Sequence, residues 1–77
     1  MMNKKIDFYM ALPYRIVVTP PDAESDEWVA EIPDLPGCIT YAATWDDLQQ
    51  MIHDAKETWI KFALEDGRSI PEPQPVA

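Results

Sequence analysis

The run Pro33-Asp34-Leu35-Pro36-Gly37 is the sharpest break in this 77-residue chain, and it constrains what either side can become. Pro36 fixes φ near −65° and Gly37 can adopt positive φ, so Leu35 to Cys38 suits a type II turn. Before the break, Glu27 to Ile32 reads as a strand, with Trp28, Ala30 and Ile32 on one face and Val29 and Glu31 on the other. After it, Cys38 to about Ala43 reads as another. An earlier strand, Tyr14 to Thr19, opens behind Pro13, is rich in β-branched residues, and stops at Pro20-Pro21-Asp22. The short acidic connection to Asp26 makes the first two strands an antiparallel hairpin.

Thr44 then reads as a helix N-cap, with Asp47 three residues on as a short-armed capping-box partner. Asp46 and Asp47 sit where the helix dipole favours negative charge. Apolar residues recur at Trp45, Leu48, Ile52, Ala55, Trp59 and Phe62, in alternating steps of three and four, and Met51, Ala63 and Leu64 widen the stripe. That spacing predicts one apolar face on a helix ending near Glu65, with Gly67 as its C′ stop and Arg68 beyond the negative end. Ile6, Phe8 and Met10 alternate within residues 1–12, which fits either a strand lead-in or a loosely held terminus. Pro71, Pro73 and Pro75 exclude helix and central strand from the tail, 69–77. The expected fold is α+β in two layers: a three-stranded antiparallel sheet under one long helix, in the order β-β-β-α, with a proline-rich C-terminal tail. Residues 1–77 form one domain on this reading, with a core of about 14–68 flanked by 1–12 and 69–77.

Charge narrows the function. Fourteen acidic against six basic residues give a formal net charge of −8, the reverse of a surface that grips phosphates. It favours a cationic partner or simple solubility. Cys38 is the single cysteine, so no intramolecular disulfide can form, and Met1 to Leu12 lacks the pattern of a secretory signal. No apolar run approaches the roughly 20 residues of a membrane span. These features predict a cytoplasmic location and no membrane partner.

Few residues could do chemistry. Cys38 and His53 could in principle form an activated nucleophile. Cys38 is better read as strand-edge packing, and His53 as a solvated helix residue beside Asp54. Asp22, Glu24, Asp26 and Glu27 cluster, but without the central glycine of a calcium loop they read as a solvated turn. Asp34 reads as turn chemistry. With only Gly37 and Gly67, the chain has no phosphate-cradling glycine loop. Tyr14, Trp28, Tyr41, Trp45 and Trp59 could stack bases on a sheet face, but basic companions are absent, so packing or a protein interface is expected. No catalytic, cofactor-binding or metal-ligating residue is assigned, and neither cofactor nor enzymatic activity is expected.

Four motifs occur in order: Trp28 to Cys38 (Trp-Val-Ala-Glu-Ile-Pro-Asp-Leu-Pro-Gly-Cys), Thr44 opening the helix, Trp59-Ile60, and Asp66 to Pro73 (Asp-Gly-Arg-Ser-Ile-Pro-Glu-Pro). Over about Tyr14 to Pro73 this series resembles the HicB-like family. The resemblance implies an antitoxin of a type II toxin–antitoxin pair. Its partner would be a small basic, mRNA-cleaving HicA-like toxin with a double-stranded-RNA-binding-like fold and a catalytic histidine, which the antitoxin covers. Ala42 stands where the family often has glycine, and Leu48 where it usually has alanine, so repacking is expected at the third strand and the helix start. Many members continue into a fourth strand and a DNA-binding domain. This sequence stops at Ala77, so direct DNA binding is not expected of it.

Together these readings predict an acidic binding protein that silences a basic ribonuclease by occlusion. The alternative is a stand-alone oligomeric adaptor of the same fold with no toxin. One helix covers one sheet face, and apolar residues occur on both strand parities (Ile16 and Val17, Trp28 and Val29), so a homo-oligomer, at least a dimer, is expected. The partner-contacting residues are not identifiable from sequence.

Overall fold

Three short strands lie side by side in chain order, each antiparallel to the next: β1 (Val17–Thr19), β2 (Trp28–Glu31) and β3 (Ile39–Ala42). The computed structural model describes residues 4–73. Helix α2 (Trp45–Glu65) packs across β2 and β3 on one face of the sheet, giving the expected two-layer β-β-β-α core. A further helix, α1 (Lys4–Met10), precedes the strands and lies against α2. Residues 1–3 and 74–77, including Pro75, lie outside the described part.

The turn that organises the sheet forms as its residue types dictate. Cys38 N–H donates to the Leu35 carbonyl at 2.9 Å, and Gly37 carries φ of +83°. A preceding turn, Leu35 N–H to the Ile32 carbonyl at 3.0 Å, folds Leu35 inward until it is wholly buried. Ile32 N–H donating to the Cys38 carbonyl closes the β2–β3 ladder above it.

Both ends of α2 are fastened by local chemistry. Thr44 Oγ1 accepts from Asp47 N–H at 3.1 Å, satisfying one of the helix's first free donors. At the other end Gly67 takes φ of +69°, Gly67 N–H reaches the Leu64 carbonyl, and Arg68 N–H reaches the Ala63 carbonyl. That pair of bonds is a Schellman cap. The Arg68 guanidinium pairs with Asp66 at 2.9 Å in an exposed position.

The buried face of α2 is rotated from the expected stripe. Leu48, Ile60 and Ala63 are buried, whereas Trp45 and Phe62 are 45% and 58% exposed. Steps of three and four repeat every 3.5 residues, whereas a straight helix repeats every 3.6, so the stripe drifts by about 20° per heptad. By the last turns Phe62 has moved off the sheet, and Ile60 and Ala63 occupy the core. Two clusters result. Tyr14, Ile32, Leu35, Cys38, Ile60, Ala63 and Ile70 form the larger, and Ala30, Ala42 and Leu48 the smaller. Ala42 and Leu48, the two departures from the family pattern, therefore fill one site together beneath Trp28 and Ile52.

From Lys4 on, the N-terminal segment forms a helix rather than a strand lead-in or a loosely held terminus. Ile6, Tyr9 and Met10 follow helical spacing, and Tyr9, Met10 and Leu12 pack against the larger cluster. Lys56 Nζ donates to the carbonyls of Met10 at 3.0 Å and Leu12 at 3.4 Å, and sits 5.2 Å over the Tyr14 ring. The tail also contributes to the core: Ile70 is buried, and the Tyr14 hydroxyl donates to the Pro71 carbonyl at 2.6 Å.

Tyr14 gives a pH prediction. Burial, and then the charges of Tyr9, Glu72 and Asp34, push its phenol up to about 12. The folded state thus holds this proton more tightly than the unfolded chain. The resulting stability is complete below about pH 10 and is lost as pH rises from there through about 12. A shift of this size corresponds to roughly 2–3 kcal/mol. Urea melts at rising alkaline pH should show that loss in the wild type and a much smaller one in Tyr14→Phe.

Candidate protein-binding surfaces

Among the described residues, two of the open apolar surfaces border the sheet. The first is the sheet face opposite α2. Strand register places Val17, Glu31 and Ile39 in one row across it, and Thr19, Val29 and Tyr41 in the next. Val17, Ile39 and Tyr41 are each about half exposed, and Glu31 stands exposed between Val17 and Ile39. This face adjoins the most acidic part of the chain. Asp22, Glu24, Asp26, Glu27, Glu31 and Asp34 follow one another with no Lys or Arg between them.

The second is a groove of about 480 Å³ between α2 and β3, lined by Cys38, Ile39, Met51, Ala55, Trp59 and Phe62 among others. Among the described residues nothing pairs with the outer edge of β3. Ile32 bonds to Cys38, so Thr40 and Ala42 also face β2, and by alternation the N–H and C=O groups of Ile39 and Tyr41 point outward.

The structure places the residues considered for chemistry as follows. Cys38 is buried, and burial pushes its thiol up against the opposing pull of Lys56, so it is a poor source of thiolate. His53 is exposed on α2. Asp22 Oδ1 accepts from the backbone N–H groups of Glu24 and Ser25, and Ser25 Oγ from that of Glu27, which is turn chemistry. Asp34 is half-buried within the first of the two turns, Ile32 to Leu35. Among the described residues no group of three or more His, Cys, Asp or Glu side chains is placed to hold a metal ion, and no helix is long and apolar enough to cross a membrane.

The aromatics are mostly structural. Trp28 and Trp45 meet at 5.4 Å, Trp59 Nε1 donates to the Pro36 carbonyl at 2.8 Å, and Tyr14 is in the core. Tyr41 alone of the five projects from the open sheet face. Sequence reasoning missed the groove. Its signal was the 3.5-residue drift, which carries Phe62 to the flank of α2 beside β3, where Met51 also lies.

A short three-stranded sheet roofed on one side by a single helix, with its other face acidic and apolar, defines the class of small α+β domains. The family described as HicB_like antitoxin of bacterial toxin-antitoxin system matches residues 14–77, and the chain belongs to it. No curated protein matches the chain. Membership points to an antitoxin role and implies a toxin as partner.

Proposed function

We propose that this protein is the antitoxin of a small basic, mRNA-cleaving HicA-like toxin, and that it works in the cytoplasm by occluding the toxin, with no chemistry of its own. The observation that carries this reading is the open sheet face: an exposed patch of Val17, Ile39 and Tyr41 centred on Glu31 and bordered by the acidic hairpin. Apolar anchors supply affinity, and surrounding charge of one sign selects and steers a partner of the other. Family membership implies a toxin as the partner, and its basic, RNA-cleaving character is part of the proposal.

The test is an mRNA-cleavage assay with the neighbouring gene's product. The wild type should abolish cleavage without binding RNA or DNA itself. Raising the salt should slow association more than it hastens dissociation, because screening acts on steering. The double variant Cys38→Ser/His53→Gln should inhibit almost as well as the wild type. Loss of inhibition in a correctly folded double variant would indicate chemistry at those residues. No inhibition by the wild type would favour a stand-alone adaptor.

A further inference from the structure

We propose that Glu31 and Tyr41 together form a seat for an arginine side chain, so that the cation anchoring a partner to the open sheet face is a guanidinium rather than an ammonium. The proposal rests on the sheet-face reading above and specifies what that face takes.

Register sets the two groups side by side. Ile32 N–H bonds to the Cys38 carbonyl, so by alternation Glu31 with Ile39, and Val29 with Tyr41, form the closer, non-hydrogen-bonded pairs. Glu31 and Tyr41 are therefore diagonal neighbours on one face. Such diagonals are roughly 7–8 Å apart, within reach of aromatic and long side chains. Glu31 is exposed and Tyr41 half exposed, and among the described residues no ion pair or hydrogen bond holds the Glu31 carboxylate. Arg15 has the same strand parity as Val17, yet it lies outside β1 and makes no ion pair with Glu31.

The surroundings decide which cation fits. Val17 and Ile39 flank Glu31, Val29 lies beside Tyr41, and Glu31 is the one charged side chain in the two rows. A partner that covers this face strips water from the carboxylate, and a carboxylate left unpaired in a dry contact is costly. The partner must therefore bring a cation that tolerates drying. Guanidinium is planar and more weakly hydrated than ammonium. Its edge gives a carboxylate two parallel N–H bonds while its face lies on an aromatic ring. Glu31 supplies the two acceptor oxygens and Tyr41 the ring.

Lys56 provides a contrast within the same molecule. Its ammonium sits 5.2 Å over the Tyr14 ring, but there the carbonyls of Met10 and Leu12 accept its protons. The carbonyls of β2 and β3 lie in the plane of the sheet and offer an ammonium on the open face no equivalent.

NMR titration of the protein alone with two capped tripeptides, Leu-Arg-Val and Leu-Lys-Val, tests the seat without the toxin. The arginine peptide should shift the Glu31 carboxyl carbon and the Tyr41 ring signals saturably, and the lysine peptide should bind severalfold more weakly. Tyr41→Phe, which keeps the ring, should retain that preference. Tyr41→Leu and Glu31→Gln should lose it, with amide signals elsewhere in the fold unchanged. Against the purified toxin, Tyr41→Leu should raise Kd about 3- to 30-fold, the equivalent of one cation–π contact, and Tyr41→Phe should stay within about twofold. Equal response to the two peptides, or toxin capture undiminished in Tyr41→Leu, would overturn the seat. An arginine preference in a protein that binds no toxin would support the seat and remove the toxin reading.

Discussion

Replacing Ile60 with alanine is expected to lower the unfolding free energy by about 2–5 kcal/mol, since the side chain is wholly buried between α2 and the turn. A domain of this size has roughly 4–11 kcal/mol in total, so the variant should sit near its melting threshold at room temperature. Phe62→Ala, two residues on, should change stability by no more than about 0.5 kcal/mol in the monomer, because Phe62 is mostly exposed. Urea titrations in parallel, at concentrations low enough to exclude association, provide the comparison. Equal midpoints in the two variants would show that α2 presents a different face to the sheet.

Glu31→Lys is expected to be the most damaging single change to toxin capture. Glu31 is exposed in the free protein, in the row between Val17 and Ile39. A docked partner would desolvate it against a cation, and reversing it would place like charges together in a dry contact. Disrupting such a charge pair costs about 2–5 kcal/mol, or roughly 30- to 5,000-fold in Kd. Glu57→Lys makes the same change in net charge on an exposed position of α2 and should mainly slow association. Calorimetry and stopped-flow mixing with the purified toxin distinguish the two. If both variants weaken binding equally, net charge alone governs capture and the sheet face is not the docking site.

The parts of the fold visible in the sequence are those governed by near neighbours. Pro36-Gly37 makes its turn from its own φ preferences, Thr44 caps with a residue three positions on, and Gly67 ends α2 through bonds to Ala63 and Leu64. What distance decides was less legible. Helix α1 depends on Lys56, 46 positions away from Met10, and Ile70 is in the core because the tail is held by Tyr14 across 57 positions. The groove needed two further facts, the sheet order that leaves β3 at an edge and the slow rotation of the apolar stripe on α2. That the proposed docking surface would be acidic follows from the net charge of −8. Which residues compose it depended on register, since Glu31 falls between Val17 and Ile39 only when three strands pair as they do.

The Lys56 clasp reverses the order of assembly relative to the order of synthesis. Helix α1 has seven residues and no basic residue in its last turn. A helix so short is marginal in water by itself. The cation that satisfies its carbonyl end belongs to α2, which leaves the ribosome much later. Helix α1, made before α2, is therefore completed after it. Until α2 forms, a growing chain leaves Tyr9, Met10 and Leu12 without that cover. A chaperone or protease that engages those residues is in effect testing whether α2 has folded.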